Sequence, residues 1–171
     1  MTLTSFLTIS INCCADTPGV TRVVDDIRLP ENDERRHATA SERGHLIKQL
    51  QDLLEHREAI EFAFIHGSFV DQPSFRDIDV AVYYDETLSQ EQRLNMSLEL
   101  ASAGSHVLGL AVDVHALNDA VLALCFHASH GQLLTARDRQ RAEDFQVQVA
   151  LRYFDFEPTL ERNLMELLEA E

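Results

Sequence analysis

Three short segments with alternating apolar residues constrain the fold of this chain more than any other feature of its sequence. They are "AIEFAFIHG" at 59–67, "DIDVAVYYD" at 77–85 and "VLGLAVDVHAL" at 107–117. Side chains alternate between the two faces of a strand, so these segments predict half-buried β-strands. Helical patterns lie before, between and after them. The order helix, strand, strand, helix, strand, helices predicts an α/β (α+β) fold with a helical C-terminal region.

Capping residues predict where the helices begin and end. Ser41 is the predicted N-cap of the first helix, and Gly104 is predicted to end the second. A third, short helix is predicted to start at Asn118 or Asp119 and to stop at Gly131. The segment "QLLTA" that follows it predicts a further short strand.

Length and composition predict one folded domain with an N-terminal extension. A chain of 171 residues with 45% hydrophobic residues can build a single core. Residues 15–40 are rich in Asp, Glu, Arg, Pro and Thr and have no sustained apolar period. We therefore predict that 1–40 is a poorly ordered or appended extension and that 41–171 is the domain. Pro158 is predicted to divide the C-terminal region into two helices.

Carboxylates recur on one face of two of the predicted strands. Asp77 and Asp79 share a face in the second strand, and Asp113 lies on the face of the third strand opposite Val112 and Val114. If these strands are neighbours, three carboxylates converge and repel one another unless a cation lies among them. Oxygen ligands of this kind suit Mg²⁺, which completes its shell with water and substrate phosphates.

The pair Gly67-Ser68 follows the first of the three predicted strands and is a candidate phosphate-binding turn. A glycine there lets the backbone approach a bulky anion, and the Ser68 hydroxyl with free N–H groups of a following helix can hold phosphate oxygens. A lone Asp-x-Asp is weak evidence, because such residues also occur as solvated strand starts. The glycine-serine pair, Asp77, Asp79 and Asp113 in this order together favour phosphoryl or nucleotidyl transfer.

The charge and the cysteines argue against several kinds of ligand and site. The net charge is −15, and Lys48 is the only lysine, so a nucleic-acid-binding surface is not expected. The three cysteines show no CxxC spacing and indicate neither a zinc site nor a disulfide framework. No apolar run is long enough to cross a membrane, and "MTLTSFLTISINCC" lacks the basic start of an export signal. We therefore expect a cytoplasmic protein.

These motifs resemble a known family. The order "GSF", a short loop, "DID" with an apolar strand, and a later "VDV" is similar to the nucleotidyltransferase superfamily of DNA polymerase β. More narrowly, the chain resembles the minimal nucleotidyltransferases of prokaryotes, the MntA type, from about Leu46 to the C-terminus, including "RAEDFQVQVALRYFDFEPTLER". The resemblance implies a small mixed sheet with flanking helices and a helical C-terminal region.

The resemblance also implies a function and assigns residues to it. Members of the family are antitoxins that transfer AMP from ATP to a tyrosine of a HEPN-domain toxin and so inactivate an RNase. Gly67 and Ser68 would bind the phosphates of ATP. Asp77 and Asp79 would hold Mg²⁺, and Asp113 would supply the third catalytic and metal-binding carboxylate.

Two alternatives remain open at the level of the sequence. The loop "FVDQPSFR" between Ser68 and Asp77 has eight residues, which is shorter than is usual in the family, and Arg76 is its only basic residue. This favours a catalytically weak antitoxin that neutralises its toxin by binding alone. A small-molecule nucleotidyltransferase is the other alternative, although the C-terminal region is modest for a second, acceptor-binding domain.

Overall fold

A mixed four-stranded sheet organises the part of the chain that the computed structural model describes, residues 35–169, with side chains described as far as residue 159. All these residues belong to one compact unit, 33–171. The helices and strands in chain order are β1 (Arg36–His37), α1 (Ala40–Leu54), β2 (Ile60–His66), α2 (Ser68–Asp71), β3 (Ser74–Phe75), β4 (Ile78–Tyr84), α3 (Gln90–Leu108), β5 (Val112–Ala116), α4 (Leu122–Ser129), β6 (Gln132–Ala136) and α5 (Arg139–Glu169).

The strand order in the sheet is β5-β4-β2-β6. Strand β2 pairs antiparallel with both β4 and β6, whereas β4 and β5 run parallel, joined through α3. The three predicted strands and the short "QLLTA" strand are confirmed, as is the α/β fold with a small mixed sheet. Strands β1 and β3 form a separate two-stranded antiparallel ribbon.

Both faces of the sheet are covered, whereas the alternating pattern predicts half-buried strands. One face carries the larger cluster of buried apolar residues, to which α1 and α3 contribute Leu50, Leu54 and Leu100. The other face is covered by α4 and α5, which contribute Cys125 and Val149. Because Val80 and Val82 belong to the first cluster and Ala81 to the second, β4 is buried on both sides along most of its length.

The N-cap of helix α1 lies two residues before the predicted one, so the prediction of Ser41 is wrong. Thr39 is the N-cap: its hydroxyl accepts from the backbone N–H of Glu42 at 3.3 Å, and the Glu42 carboxylate accepts from the backbone N–H of Thr39 at 2.7 Å. These reciprocal bonds form a capping box, which Ser41 cannot make because the acceptor three residues later is missing. The division at residue 40 stays a prediction, since 1–34 lie outside the described residues.

Thr39→Ala should lower the free energy of unfolding by about 1 kcal/mol, because it removes the side chain that satisfies the first turn of α1. Ser41→Ala is the matched control, since Ser41 is exposed and lies inside the helix. Its unfolding midpoint in urea should equal or slightly exceed that of the wild type, because alanine has a higher helix propensity than serine. Equal losses in the two variants would show that the cap does not stabilise the helix.

Gly104 does not end α3, which is a second error of the sequence-based prediction. The helix continues to Leu108 and ends at Gly109, which has a φ of 62°. Gly104 is buried against the side chain of Val112, and a Cβ built on it would lie 3.3 Å from Val112 Cγ1. The glycine therefore allows α3 and β5 to approach each other rather than terminating the helix.

The predicted cap of α4 and the predicted break at Pro158 are also wrong. Helix α4 begins after Val121, whereas Asn118 bonds to both backbone groups of Tyr84, accepting from its N–H and donating to its carbonyl, each at 2.9 Å. The side chain of Asn118 thus makes the two backbone hydrogen bonds that a paired strand residue would otherwise make with Tyr84. Pro158 lies inside the continuous helix α5, where it is exposed, so water can solvate the carbonyl that its ring leaves unpaired.

Among residues 35–169, no helix has an apolar stretch of the length needed to cross a membrane.

Candidate active site

The predicted site residues meet at one end of the sheet. Asp79 on β4 stands directly beside Asp113 on the parallel strand β5, and His66 on β2 is the antiparallel partner of Asp79. Paired residues in a sheet direct their side chains to the same face, so His66, Asp79 and Asp113 form a row across three strands. The convergence expected from the alternating pattern therefore holds for Asp79 and Asp113.

Asp77 lies just before β4 begins. The backbone N–H of Ile78 donates to the carbonyl of Ala111 at 2.9 Å, which ties the start of β4 to the segment leading into β5. Asp77 itself accepts from Arg76 Nε at 3.3 Å, and its side chain is 22% exposed. A carboxylate that is neither buried nor fully solvated can still exchange its partner for a bound ligand.

Gly67 is required by its position against Asp79. It has a φ of 75°, a conformation that favours glycine, and a Cβ built on it would lie 2.5 Å from Asp79 Oδ2. Any side chain there would displace the Asp79 carboxylate. The turn from β2 into α2 therefore brings the backbone of the predicted phosphate-binding pair directly over the predicted metal ligand.

Helix α2 starts at Ser68 as the sequence suggests, but it has only four residues. The backbone N–H groups of Val70 and Asp71 donate to the carbonyl of Gly67, at 3.0 and 3.1 Å. A single turn has little dipole, so the N-terminus of α2 can contribute little to phosphate binding. The Ser68 hydroxyl and neighbouring cationic side chains become more important.

The electrostatics of the row favour a bound cation. Burial raises the pKa of Asp79, and the negative charges of Asp77 and Asp113 raise it further. A carboxylate whose ionised form is disfavoured by burial and by two neighbouring negative charges is well suited to binding a cation. Within the described residues, no group of three or more His, Cys, Asp or Glu side chains is placed so that it could hold a metal ion by itself. Mg²⁺ usually needs only one or two carboxylates of the protein, because water and substrate phosphates complete its shell.

Replacing Asp79 by asparagine should stabilise the protein without divalent cations at neutral pH. A raised pKa in the folded state means that the native protein binds this proton more tightly than the unfolded chain. The stability that this protonation contributes is therefore fully present below the pKa of Asp79 in the unfolded chain. It is lost as the pH rises through the pKa of Asp79 in the folded protein. The melting temperature of Asp79→Asn should exceed that of wild type by a few degrees at neutral pH, and the gap should close in acid.

Asp85→Asn is the matched control for that measurement. The Thr87 hydroxyl and backbone N–H donate to Asp85 and lower its pKa, so this carboxylate stabilises the fold at neutral pH. Asp85→Asn should therefore shift the melting temperature in the opposite direction. If Asp79→Asn lowers the neutral melting temperature as Asp85→Asn does, the repulsion inferred for the row is absent.

His66, the third residue of the row, has a buried ring nitrogen. Its Nε2 is buried and has no hydrogen-bond partner, and burial lowers its pKa, with a further contribution from His115. Sequence reasoning assigned His66 no role in the site. The signal that could have found it is the register of β2, which places the residue before Gly67 beside Asp79.

Arg43 on α1 fixes the shortened loop between Ser68 and Asp77, and sequence reasoning missed it. Its guanidinium donates to the carbonyls of Phe69, Gln72 and Pro73, the last two at 2.8 and 3.0 Å. It also lies over the rings of Phe69 and Phe75, with centroid distances of 5.2 and 5.1 Å. One arginine thus satisfies several loop carbonyls at once and gives the loop a defined shape.

The chain belongs to the family described as polymerase beta, nucleotidyltransferase, whose model matches residues 48–140, more than half of the 171 residues. Gly67, Ser68 and the three aspartates all lie inside this range. Comparison with curated proteins gives no significant match.

Solved structures share the fold. A chain from the complex of the tri-AMPylated Shewanella oneidensis HEPN toxin with its MNT antitoxin matches with a TM-score of 0.57 at 23% identity, over 74% of this chain and 98% of that one. A chain from a mutant MntA toxin–antitoxin complex matches with a TM-score of 0.60 at 23% identity, over 71% and 96%. A toxin–antitoxin structure with AMP-PNP gives 0.56 at 24% identity, over 72% and 97%. The fold is therefore that of these minimal nucleotidyltransferases.

Proposed function

We propose that this chain is the antitoxin of a toxin–antitoxin pair and that it transfers AMP from ATP to a tyrosine of a HEPN-domain RNase toxin, which inactivates the toxin. The observation that carries the proposal is the register of β4 and β5. It sets Asp79 beside Asp113, with Asp77 and the Gly67-Ser68 turn at the same end of the sheet. Membership in a nucleotidyltransferase family supports the same chemistry.

The proposed partner and nucleotide are supported by the structural relatives. Those relatives are described as toxin–antitoxin complexes, one with a tri-AMPylated HEPN toxin and one with AMP-PNP. A protein whose fold matches nearly the full length of such chains has the scaffold for the same partner. The net charge of −15 further suggests that a basic toxin surface docks on it, so complex formation should weaken with salt.

Each site residue has a role in this proposal. Asp77, Asp79 and Asp113 would hold Mg²⁺, and the residues fit it through the mutual repulsion of their carboxylates. When bound, the ion would neutralise charge on the phosphates and lower the pKa of the attacking hydroxyl. Gly67 and Ser68 would hold the phosphates that leave as pyrophosphate.

The transfer itself needs a deprotonated tyrosine near neutral pH. A phenol has a pKa of about 10, so a neighbouring base is required to make it a good nucleophile. Asp113 is exposed on the edge strand β5, where an acceptor from another protein can reach it. Asp113 would take the proton while the phenol oxygen bonds to the α-phosphorus and the bond to the β-phosphate oxygen breaks, releasing pyrophosphate.

The test is a mass measurement on the partner. The protein, its proposed HEPN-domain toxin partner, ATP and Mg²⁺ are mixed, and the intact mass of the toxin is recorded with its RNase activity. Discrete AMP-sized increments that accompany loss of RNase activity are the expected result. Toxin silenced without any change of mass would instead identify a binding-only antitoxin, the alternative that the short loop favours. We place the reaction in the cytoplasm, where ATP and the RNase substrate are found.

A further inference from the structure

Two arginines, Arg35 and Arg76, flank one end of the small ribbon formed by β1 and β3. Strands β1 and β3 pair antiparallel with Arg36 opposite Phe75 and His37 opposite Ser74. Arg35 directly precedes the residue Arg36 of the first pair and Arg76 directly follows its partner Phe75, so both arginines flank the same end of the ribbon. Two neighbouring guanidinium groups can bind one anion together.

The two arginines line the same cleft as two of the proposed site residues. A cleft of about 400 Å³ is bounded by Arg35, Ser68, Arg76 and Asp77. Arg76 also contacts Asp77, with Nε 3.3 Å from Oδ2, so it lies directly between the ribbon and the carboxylates. The cleft therefore joins positive side chains to the Ser68 hydroxyl next to the site of transfer.

The remainder of the site provides little positive charge for a triphosphate. The chain has a net charge of −15, and the loop from 69 to 76 contains Arg76 as its only basic residue. Helix α2 is a single turn, too short to provide an anion site at its N-terminus. A ligand with several negative charges thus needs cations from outside the loop, and Arg35 is the cation that the ribbon brings to this cleft.

We infer that Arg35, which precedes the family-matched range of 48–140, binds the polyphosphate tail of the nucleoside triphosphate together with Arg76 and Ser68. The inference rests on the proposed function for the identity of the ligand. A planar guanidinium can donate two parallel hydrogen bonds to one phosphate, which suits both arginines to this role. In this role, the ribbon formed by β1 and β3 positions Arg35 at the nucleotide site.

A purely structural role for Arg35 is the competing explanation. Arg35 Nη1 donates to the side-chain oxygen of Gln72 at 3.4 Å, so the arginine could act by supporting the loop. Gln72→Ala removes this acceptor and leaves the charge of Arg35 in place. The two roles therefore separate in a comparison of Arg35→Gln with Gln72→Ala.

The experiment measures binding of Mg-ATP, Mg-tripolyphosphate and AMP to the full chain by calorimetric titration. Arg35→Gln should weaken binding of ATP and of tripolyphosphate by about tenfold or more, the worth of a charge-assisted bond to phosphate, and change AMP binding far less. Arg36→Gln is the matched control: it removes the same charge one residue away, from a side chain that lines a different cleft. It and Gln72→Ala should bind all three ligands as the wild type does.

Several results would overturn the inference. They are equal ATP affinity in Arg35→Gln and Arg36→Gln, an ATP loss in Gln72→Ala that matches that of Arg35→Gln, or no binding of ATP and tripolyphosphate by the wild type. Thermal unfolding of each variant, followed by circular dichroism, verifies that the exposed substitutions keep the fold. If the toxin never gains AMP but Arg35→Gln still weakens ATP binding selectively, the proposed function fails and the phosphate site stands.

Discussion

Asp77→Asn combined with Asp79→Asn should abolish the addition of AMP to the toxin. Substitution of groups that merely orient metal ligands costs about 10–100-fold, so loss of two ligands should reduce transfer by more than about a hundredfold. Intact-mass spectrometry of the toxin after incubation with ATP and Mg²⁺ gives a direct reading, because each transfer adds one AMP unit. The wild type should yield discrete increments, and the double variant should leave the toxin at its original mass.

A double variant that also removes two negative charges serves as the control. Asp52 and Asp144 are exposed residues of α1 and α5 and do not belong to the proposed site, so Asp52→Asn with Asp144→Asn should transfer AMP as the wild type does. Binding of both double variants to the toxin should be similar in a pull-down at fixed salt. This comparison separates loss of chemistry from loss of acidic surface.

The outcome for RNase activity decides between an enzyme and a binding antitoxin. If the Asp77 and Asp79 double variant silences the toxin as well as the wild type does, with no change of toxin mass in either case, the carboxylates have no catalytic role here. The shortened loop would then be the physical reason. If the double variant leaves the RNase active, the antitoxin works through the transfer reaction.

The parts of the fold that follow from local periodicity could be predicted from the sequence. Alternation in "DIDVAVYYD" and "VLGLAVDVHAL" fixed which face Asp79 and Asp113 occupy, and adjacent parallel strands in register then had to bring them together. The same alternation predicted which valines face the core. Because side chains along a strand alternate between the two faces, the pairing of neighbouring strands determines the face that each residue occupies.

The parts that depend on distant contacts could not be predicted. Gly104 has the sequence features of a helix stop, but its role is to let α3 pack on Val112, which only the tertiary structure reveals. Arg43 contacts a loop 26 to 30 positions further along the chain, and no local pattern marks it. Arg35 reaches its cleft only because β1 pairs with β3. Long-range pairing therefore supplied the site with residues that motif analysis missed.

Gly131→Ala should be among the most destabilising single substitutions in the described part of the chain. A Cβ built on Gly131 would lie 2.1 Å from the carbonyl oxygen of Ile65 and 2.9 Å from the Cβ of His66. The first of these is a backbone atom of the central strand β2 and cannot rotate away as a side chain could. The connection from α4 into β6 must then move outward, which strains the pairing of β6 with β2.

The expected loss is about 1–3 kcal/mol, as for other cases of forced overpacking, measured by urea denaturation. Gly44→Ala is the matched control: nothing lies within 4 Å of a Cβ at that exposed position of α1, and alanine favours helix over glycine by about 0.5–1 kcal/mol. The same chemical change should therefore stabilise the protein at position 44 and destabilise it at position 131.

Because the clash falls on Ile65 and His66, immediately before Gly67, the Gly131 variant should also bind Mg-ATP more weakly than its loss of stability alone explains. A Gly131→Ala protein with the wild-type unfolding midpoint and nucleotide affinity would show that β6 and β2 are not held at this distance in solution.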